Sequence, residues 1–154
     1  MSPPSSDRIE KQIVLEAPIA RVWRAVADRK EFGTWFQVDI VGEFVPGARL
    51  SGHMTYPGYE HVLWDVTVER VEPPHVIAWR WHPSAIEPGV DYSAEPTTLV
   101  EFTLAEVEGG TLLTVVESGF DRLPPARRAA AFSGNERGWT GQMRNIERHV
   151  ANSP

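Results

Sequence analysis

The chain contains no cysteine. That absence excludes disulfides, thiolate zinc centres and thiol nucleophiles. No apolar run reaches about 18 residues, so no segment reads as a membrane-spanning helix. The opening residues Met1 to Ser6 have neither the basic start nor the apolar stretch of a secretory signal, and a cytoplasmic location is expected. Lysine is nearly absent: among 15 basic residues only Lys11 and Lys30 are lysine, and the rest are arginine. Clustered guanidinium groups would suggest anion recognition. These are scattered along the chain, which fits a compositional bias better. The net charge of −6 removes the positive field that would draw nucleic acid or an anionic membrane. There is no HExxH spacing, no P-loop, no GxSxG and no dinucleotide fingerprint, so neither a metal nor a cofactor is expected.

What is present is a globular composition. Hydrophobic residues make up 42% and aromatic residues 10% of 154 residues. A chain of that length suits one domain, and it buries roughly 70% of its unfolded surface. Residues 1–7 read as a disordered leader and 8–151 as a single domain.

Local periodicity orders the elements. Ile9, Lys11, Ile13 and Leu15 alternate with polar residues, the period-two signature of a strand with one buried face. Pro18 suits the first turn of a helix, where its missing N–H costs nothing. Ile19, Val22, Trp23 and Val26 follow at helical spacing, giving an amphipathic helix over Pro18–Ala27. Asp28 can cap a second short helix running to Trp35-Phe36. Four strands are then expected over Phe36–Val45, Ala48–Tyr56, His61–Val71 and His75–His82. Each ends near a turn signal: Pro46-Gly47, Pro57-Gly58 or Pro73-Pro74. Residues 83–96 hold three prolines and no periodicity, so they read as an exposed loop, with Asp91-Tyr92 as a conceivable lid. Thr97–Val107 and Thr111–Ser118 form a hairpin around Glu108-Gly-Gly110. Ala126–Val150 is the long last helix. Trp139, Met143, Ile146 and Val150 share one of its faces, while Gly134, Gly138 and Gly141 each weaken it by about 1 kcal/mol against alanine.

The strand pattern also assigns inner faces. Closing the last hairpin on its glycines puts Leu104 opposite Val115 and Phe102 opposite Glu117. Val100, Phe102, Leu104, Leu113, Val115 and Glu117 then share the core face. Glu117 is its one carboxylate. Ile77, Trp79 and Trp81 share a face, as do Val62, Trp64, Val66 and Val68. A three-residue turn before strand 48–56 points Leu50 and Met54 inward and His53 outward, whereas a two-residue turn reverses them. The apolar match favours the first.

Six motifs in order are similar to one superfamily. They are Ala17-Pro-x-x-x-Val22-Trp23, Trp35-Phe36, Pro46-Gly47, Val71-Glu-Pro-Pro74 with Trp79 and Trp81, Gly110-Thr-x-Leu113 running to Glu117-Ser-Gly-Phe120, and Gly138-Trp139. Between Arg8 and Val150 the chain resembles the START-like, helix-grip (SRPBCC) superfamily. Within it, the resemblance is to the branch of homologues of the heat-shock-protein ATPase activator, and also to polyketide cyclase/dehydrase-type domains. The resemblance implies an α+β fold: a curved seven-stranded antiparallel sheet wrapped around a long C-terminal helix, with two short helices after the first strand. It also implies a hydrophobic cavity between sheet and helix, and a homodimer is compatible with such a domain.

Two meanings of the inner aromatic residues stay open on the sequence, a solid core or the wall of a cavity. In the second, Trp35, Met54, Trp64, Trp79, Trp81, Phe102, Glu117, Trp139 and Met143 hold a small hydrophobic ligand, aromatic or lipid-like. If the domain is instead a polyketide-cyclase-like or hydrolytic enzyme, Glu117 and His53 are the candidate acid–base groups. A protein-interaction module of co-chaperone type is the third alternative.

Overall fold

A computed structural model describes residues 7–85, 87 and 89–152. Most of the expected leader lies outside the described residues. Asp7, its last residue, is fastened: its carbonyl accepts from the Gly119 amide at 3.0 Å and its carboxylate from the Asp121 amide at 3.1 Å.

Strand and helix follow the period of the apolar residues. The elements are β1 (Arg8–Leu15), α1 (Ile19–Ala27), α2 (Arg29–Phe36), β2 (Val38–Val41), β3 (Arg49–Met54), β4 (Leu63–Glu72), β5 (Val76–Trp81), β6 (Thr98–Val107), β7 (Gly110–Ser118) and α3 (Pro125–Asn152). The strands form one seven-stranded sheet in the order β1-β7-β6-β5-β4-β3-β2, antiparallel throughout. Asp28 separates α1 from α2 and caps the second helix, its carboxylate accepting from the amides of Lys30 and Glu31. This is the side-chain capping that aspartate favours at a helix start. Pro125 opens α3 at the position where proline costs least.

Two expectations need correction. The strand expected over Phe36–Val45 is only Val38–Val41. Phe36 completes α2, Gln37 terminates it in the left-handed region at φ 69°, and Gly42 turns the chain at φ 112°. The last hairpin closes over Glu108-Gly109, with Val107 opposite Gly110, so Phe102 faces Val115 and Val100 faces Glu117. That is a slip of two residues from the expected pairing. Gly109 takes the positive-φ turn position at 88°. Gly110 belongs to the strand, where a Cβ would stand 2.0 Å from the Leu15 carbonyl oxygen. Side chains alternate with a period of two, so a two-residue slip leaves every face assignment intact.

The inner face of the sheet carries Trp64, Val66, Val68, Ile77, Trp79, Val100, Phe102, Leu104, Leu113 and Val115, all buried. On α3 the expected stripe is buried against it: Trp139, Met143, Ile146 and Val150. The ring of Trp139 lies 5.7 Å from Phe102 and 6.1 Å from Trp81. Among the described residues no helix is long and apolar enough to cross a membrane.

Candidate functional site

Tertiary packing places one carboxylate inside the protein. Glu117 projects inward from β7 and is completely buried. Four neutral donors converge on it from three elements: Trp81 of β5, Thr98 at the start of β6, and Asn135 and Trp139 of α3. The Trp81 indole N–H and the Thr98 hydroxyl reach Oε2 at 2.8 and 2.6 Å. The Trp139 indole N–H reaches Oε1 at 2.8 Å. Asn135 Nδ2 donates to Oε1 at 2.9 Å and to Oε2 at 3.1 Å. A buried carboxylate must have its lone pairs occupied, because stranding such a group costs several kcal/mol. Here indole, amide and hydroxyl donors occupy them, and among the described residues no cationic side chain bonds to it.

Beside this cluster lies a cavity of about 900 Å³ that opens to solvent between the sheet and α3. Its apolar wall includes Phe36, Met54, Trp64 and Trp81. On α3 it is bounded by Gly134, Asn135 and Gly138. A Cβ built on Gly138 would meet nothing within 4 Å, so the glycine keeps that wall thin. Glu117 is not a wall residue: Trp81 and Asn135 stand between it and the cavity.

Described residues of the segment after β5 supply the remaining side, among them His82, Asp91 and Tyr92. This segment is clamped by Arg127 in the first turn of α3. Its guanidinium donates to the Glu95 carboxylate at 2.8 Å, to the carbonyls of Pro83 at 2.9 Å and Ser84 at 3.2 Å, and lies 4.5 Å from the centre of the Tyr92 ring. Hydrogen bonds from the Ser93 side chain and amide hold the Asp91 carboxyl below its ordinary value.

The nine expected ligand contacts divide. Met54, Trp64 and Trp81 line the cavity. Trp79, Phe102, Trp139, Met143 and Glu117 are buried behind it. Trp35 borders a separate open groove of about 750 Å³ between α2 and the end of α3. Within that aromatic interior, the indole N–H groups of Trp64 and Trp79 have no acceptor among the described residues. His53 is exposed on β3 and borders neither cavity. Among the described residues no group of three or more His, Asp or Glu is placed to hold a metal ion.

Sequence reading missed Asn135, Thr98 and Arg127. Asn135 had a usable signal. It lies one helical turn before Trp139 on the stripe that continues through Met143 and Ile146, a polar residue on an otherwise buried face.

The comparison with known families now has a geometry to meet. A family model described as Activator of Hsp90 ATPase homolog 1-like protein matches residues 16–151. The chain belongs to this family. The match covers both short helices, the six strands β2–β7 and nearly all of α3. No curated protein gives a significant match. Solved structures confirm the fold of this Activator of Hsp90 ATPase homolog 1-like chain. MLL2253 from Mesorhizobium loti superposes with a TM-score of 0.75 at 22% identity, over 96% of this chain and 98% of that one. The Aha1 dimer from Colwellia psychrerythraea gives 0.69 at 17% identity, over 93% and 95%. DynU16, a protein of the dynemicin biosynthetic locus, gives 0.73 at 24% identity, over 96% of this chain and 48% of its own.

Proposed function

We propose that this protein binds a small apolar molecule with an aromatic ring in the cavity between the sheet and α3. The observation that carries the reading is the pairing of an aromatic wall with an open cavity of about 900 Å³. Volumes of this order hold drug-sized ligands, and aromatic side chains are a usual part of their lining; here they share the wall with polar residues such as Asp65, His82 and Arg137. Binding is favoured over catalysis for two reasons. The oxygens of Glu117 are already engaged by four donors. His53, the other candidate acid–base group, lies outside the cavity. A cytoplasmic setting belongs to the same reading, as does self-association of the kind named for the Colwellia psychrerythraea neighbour.

The test is intrinsic tryptophan fluorescence, because Trp64 and Trp81 form the wall. Titration with flavonoids, aromatic polyketides and fatty acids should give saturable quenching by at least one aromatic class. A Cβ at position 138 meets nothing within 4 Å, so Gly138→Leu adds bulk at the cavity wall; it should weaken that binding by about tenfold or more, the effect of lost contacts on the order of 1.4 kcal/mol. Absence of saturable quenching across the panel, or equal affinity in the variant, overturns the reading.

A further inference from the structure

Asn135 stands in the cavity wall and touches the buried carboxylate behind it. Its amide has two unlike ends, and the network dictates which end faces which way. Indole nitrogens only donate, so Trp81 and Trp139 require the oxygens of Glu117 to act as acceptors. A carboxylate in that state accepts only, and Asn135 can offer it nothing but its NH2 group. Nδ2 therefore points at Glu117, with both contacts at 3.1 Å or less. Because the amide is planar, Oδ1 lies on the side away from the carboxylate. No donor among the described residues reaches that oxygen, and it is not sealed among the buried unpaired atoms.

Several other polar groups of the cavity are engaged elsewhere. Asp65 accepts from Arg49 at 2.8 Å. His82 Nε2 is 3.1 Å from the Glu95 carbonyl oxygen. Arg137 is exposed and donates to Ser133. Gly138, one turn beyond Asn135, leaves room beside it.

We propose that Asn135 Oδ1 is the polar recognition point of the cavity, selecting aromatic ligands that present a hydroxyl donor, with Glu117 as the positioning residue that holds the amide in this orientation. The proposal rests on the ligand-binding reading and adds to it the chemistry of the ligand. A fixed acceptor strongly rejects the same ring with its donor removed or capped, because the buried oxygen is then left unpaired.

The experiment compares 2-naphthol, naphthalene and 2-methoxynaphthalene by titration calorimetry on the intact protein. Naphthalene is the most apolar of the three, so transfer out of water alone does not favour the naphthol over it. The expected result is 2-naphthol binding about tenfold more tightly than either. In Asn135→Leu, the preference should fall to about threefold or less. Glu117→Gln frees the amide to turn and should reduce the preference in the same direction, although residue 117 is outside the cavity; a role for residue 117 in folding alone would lower the melting temperature and leave the preference intact. Equal binding of all three probes by the unmodified protein overturns this inference and leaves the cavity reading standing. Failure of all three to bind overturns this inference, and the cavity reading falls with it where the fluorescence panel is also silent. The probe series on the unmodified protein decides the matter even if neither variant folds.

Discussion

The carboxylates of Glu117 and Glu31 sit in two regions that hold them by different chemistry. Glu117, where the sheet meets α3, is surrounded by neutral donors: two indoles, an amide and a hydroxyl. Glu31, where the helices meet, is surrounded by cationic or protonatable groups. Arg21 lies 2.8 Å from it, Arg24 at 2.6 Å and His149 at 3.0 Å. Burial pushes the Glu31 carboxyl up, but the hydrogen bonds from His149 and Arg24 and the charge of Arg21 outweigh it and leave it below its ordinary value. The ionic cluster is partly open to water and fastens three helices with long, adaptable side chains. The neutral cluster is closed and directional, and each of its donors has one place to stand. The difference teaches that a cavity wall is better set by neutral, geometrically demanding donors than by ion pairs, which fix distance more than orientation.

The largest expected effect breaks the comparison at Glu117. Glu117→Gln keeps the shape but turns an NH2 group toward donors, leaving buried N–H groups without acceptors. It should lower stability by about 3 kcal/mol or more. Urea unfolding checks it as a lower midpoint at unchanged slope. An unshifted midpoint would show that the hydrogen bonds to Glu117 contribute nothing to the fold.

A smaller effect separates tryptophans of the two kinds. Trp139 donates to Glu117, whereas the Trp79 N–H has no acceptor among the described residues. Both rings are buried, so Trp→Phe removes similar volume from each. Only Trp139→Phe also removes a bond to the carboxylate, and it should cost about 1–2 kcal/mol more than Trp79→Phe. Equal losses in parallel chemical melts would mean that volume alone matters here.

The smallest effect sharpens the contrast through pH. Glu31→Gln should cost about 1 kcal/mol near neutrality, as expected for a hydrogen-bonded ion pair that is only partly buried. The folded Glu31 carboxyl titrates below its ordinary value. Its contribution is therefore present above the ordinary carboxylate range and disappears as pH falls through the lowered value. The gap between the native protein and Glu31→Gln should close over that acidic window in unfolding curves. A gap that stayed constant down to pH about 3 would remove Glu31 from the account.

Much of the fold was legible because it rests on local periodicity. Alternation in β1, β6 and β7, the Asp28 cap and the Trp139–Val150 stripe each reflect neighbours within a turn or a strand. The hairpin slip of two residues shows the limit. Faces depend on parity along one strand, whereas pairing depends on which glycine takes the positive-φ position and which admits the Leu15 carbonyl. The candidate site was legible only in part. Glu117 could be recognised as an inward carboxylate, and Met54, Trp64 and Trp81 as inward side chains. Their division into cavity wall and buried core depends on where α3 crosses the sheet.

By itself, the sequence determined the elements, their inner faces and the family. The elements and faces follow from hydrophobic spacing and from turn residues, whose physics acts between positions close along the chain, whereas the family follows from the resemblance of six motifs in order. Tertiary structure alone decided that Trp81, Thr98, Asn135 and Trp139 meet on Glu117. These residues come from separate stretches, and a hydrogen bond needs its partners within about 3 Å at a suitable angle. Spacing along the sequence carries no such information until the sheet has formed and α3 has packed across it.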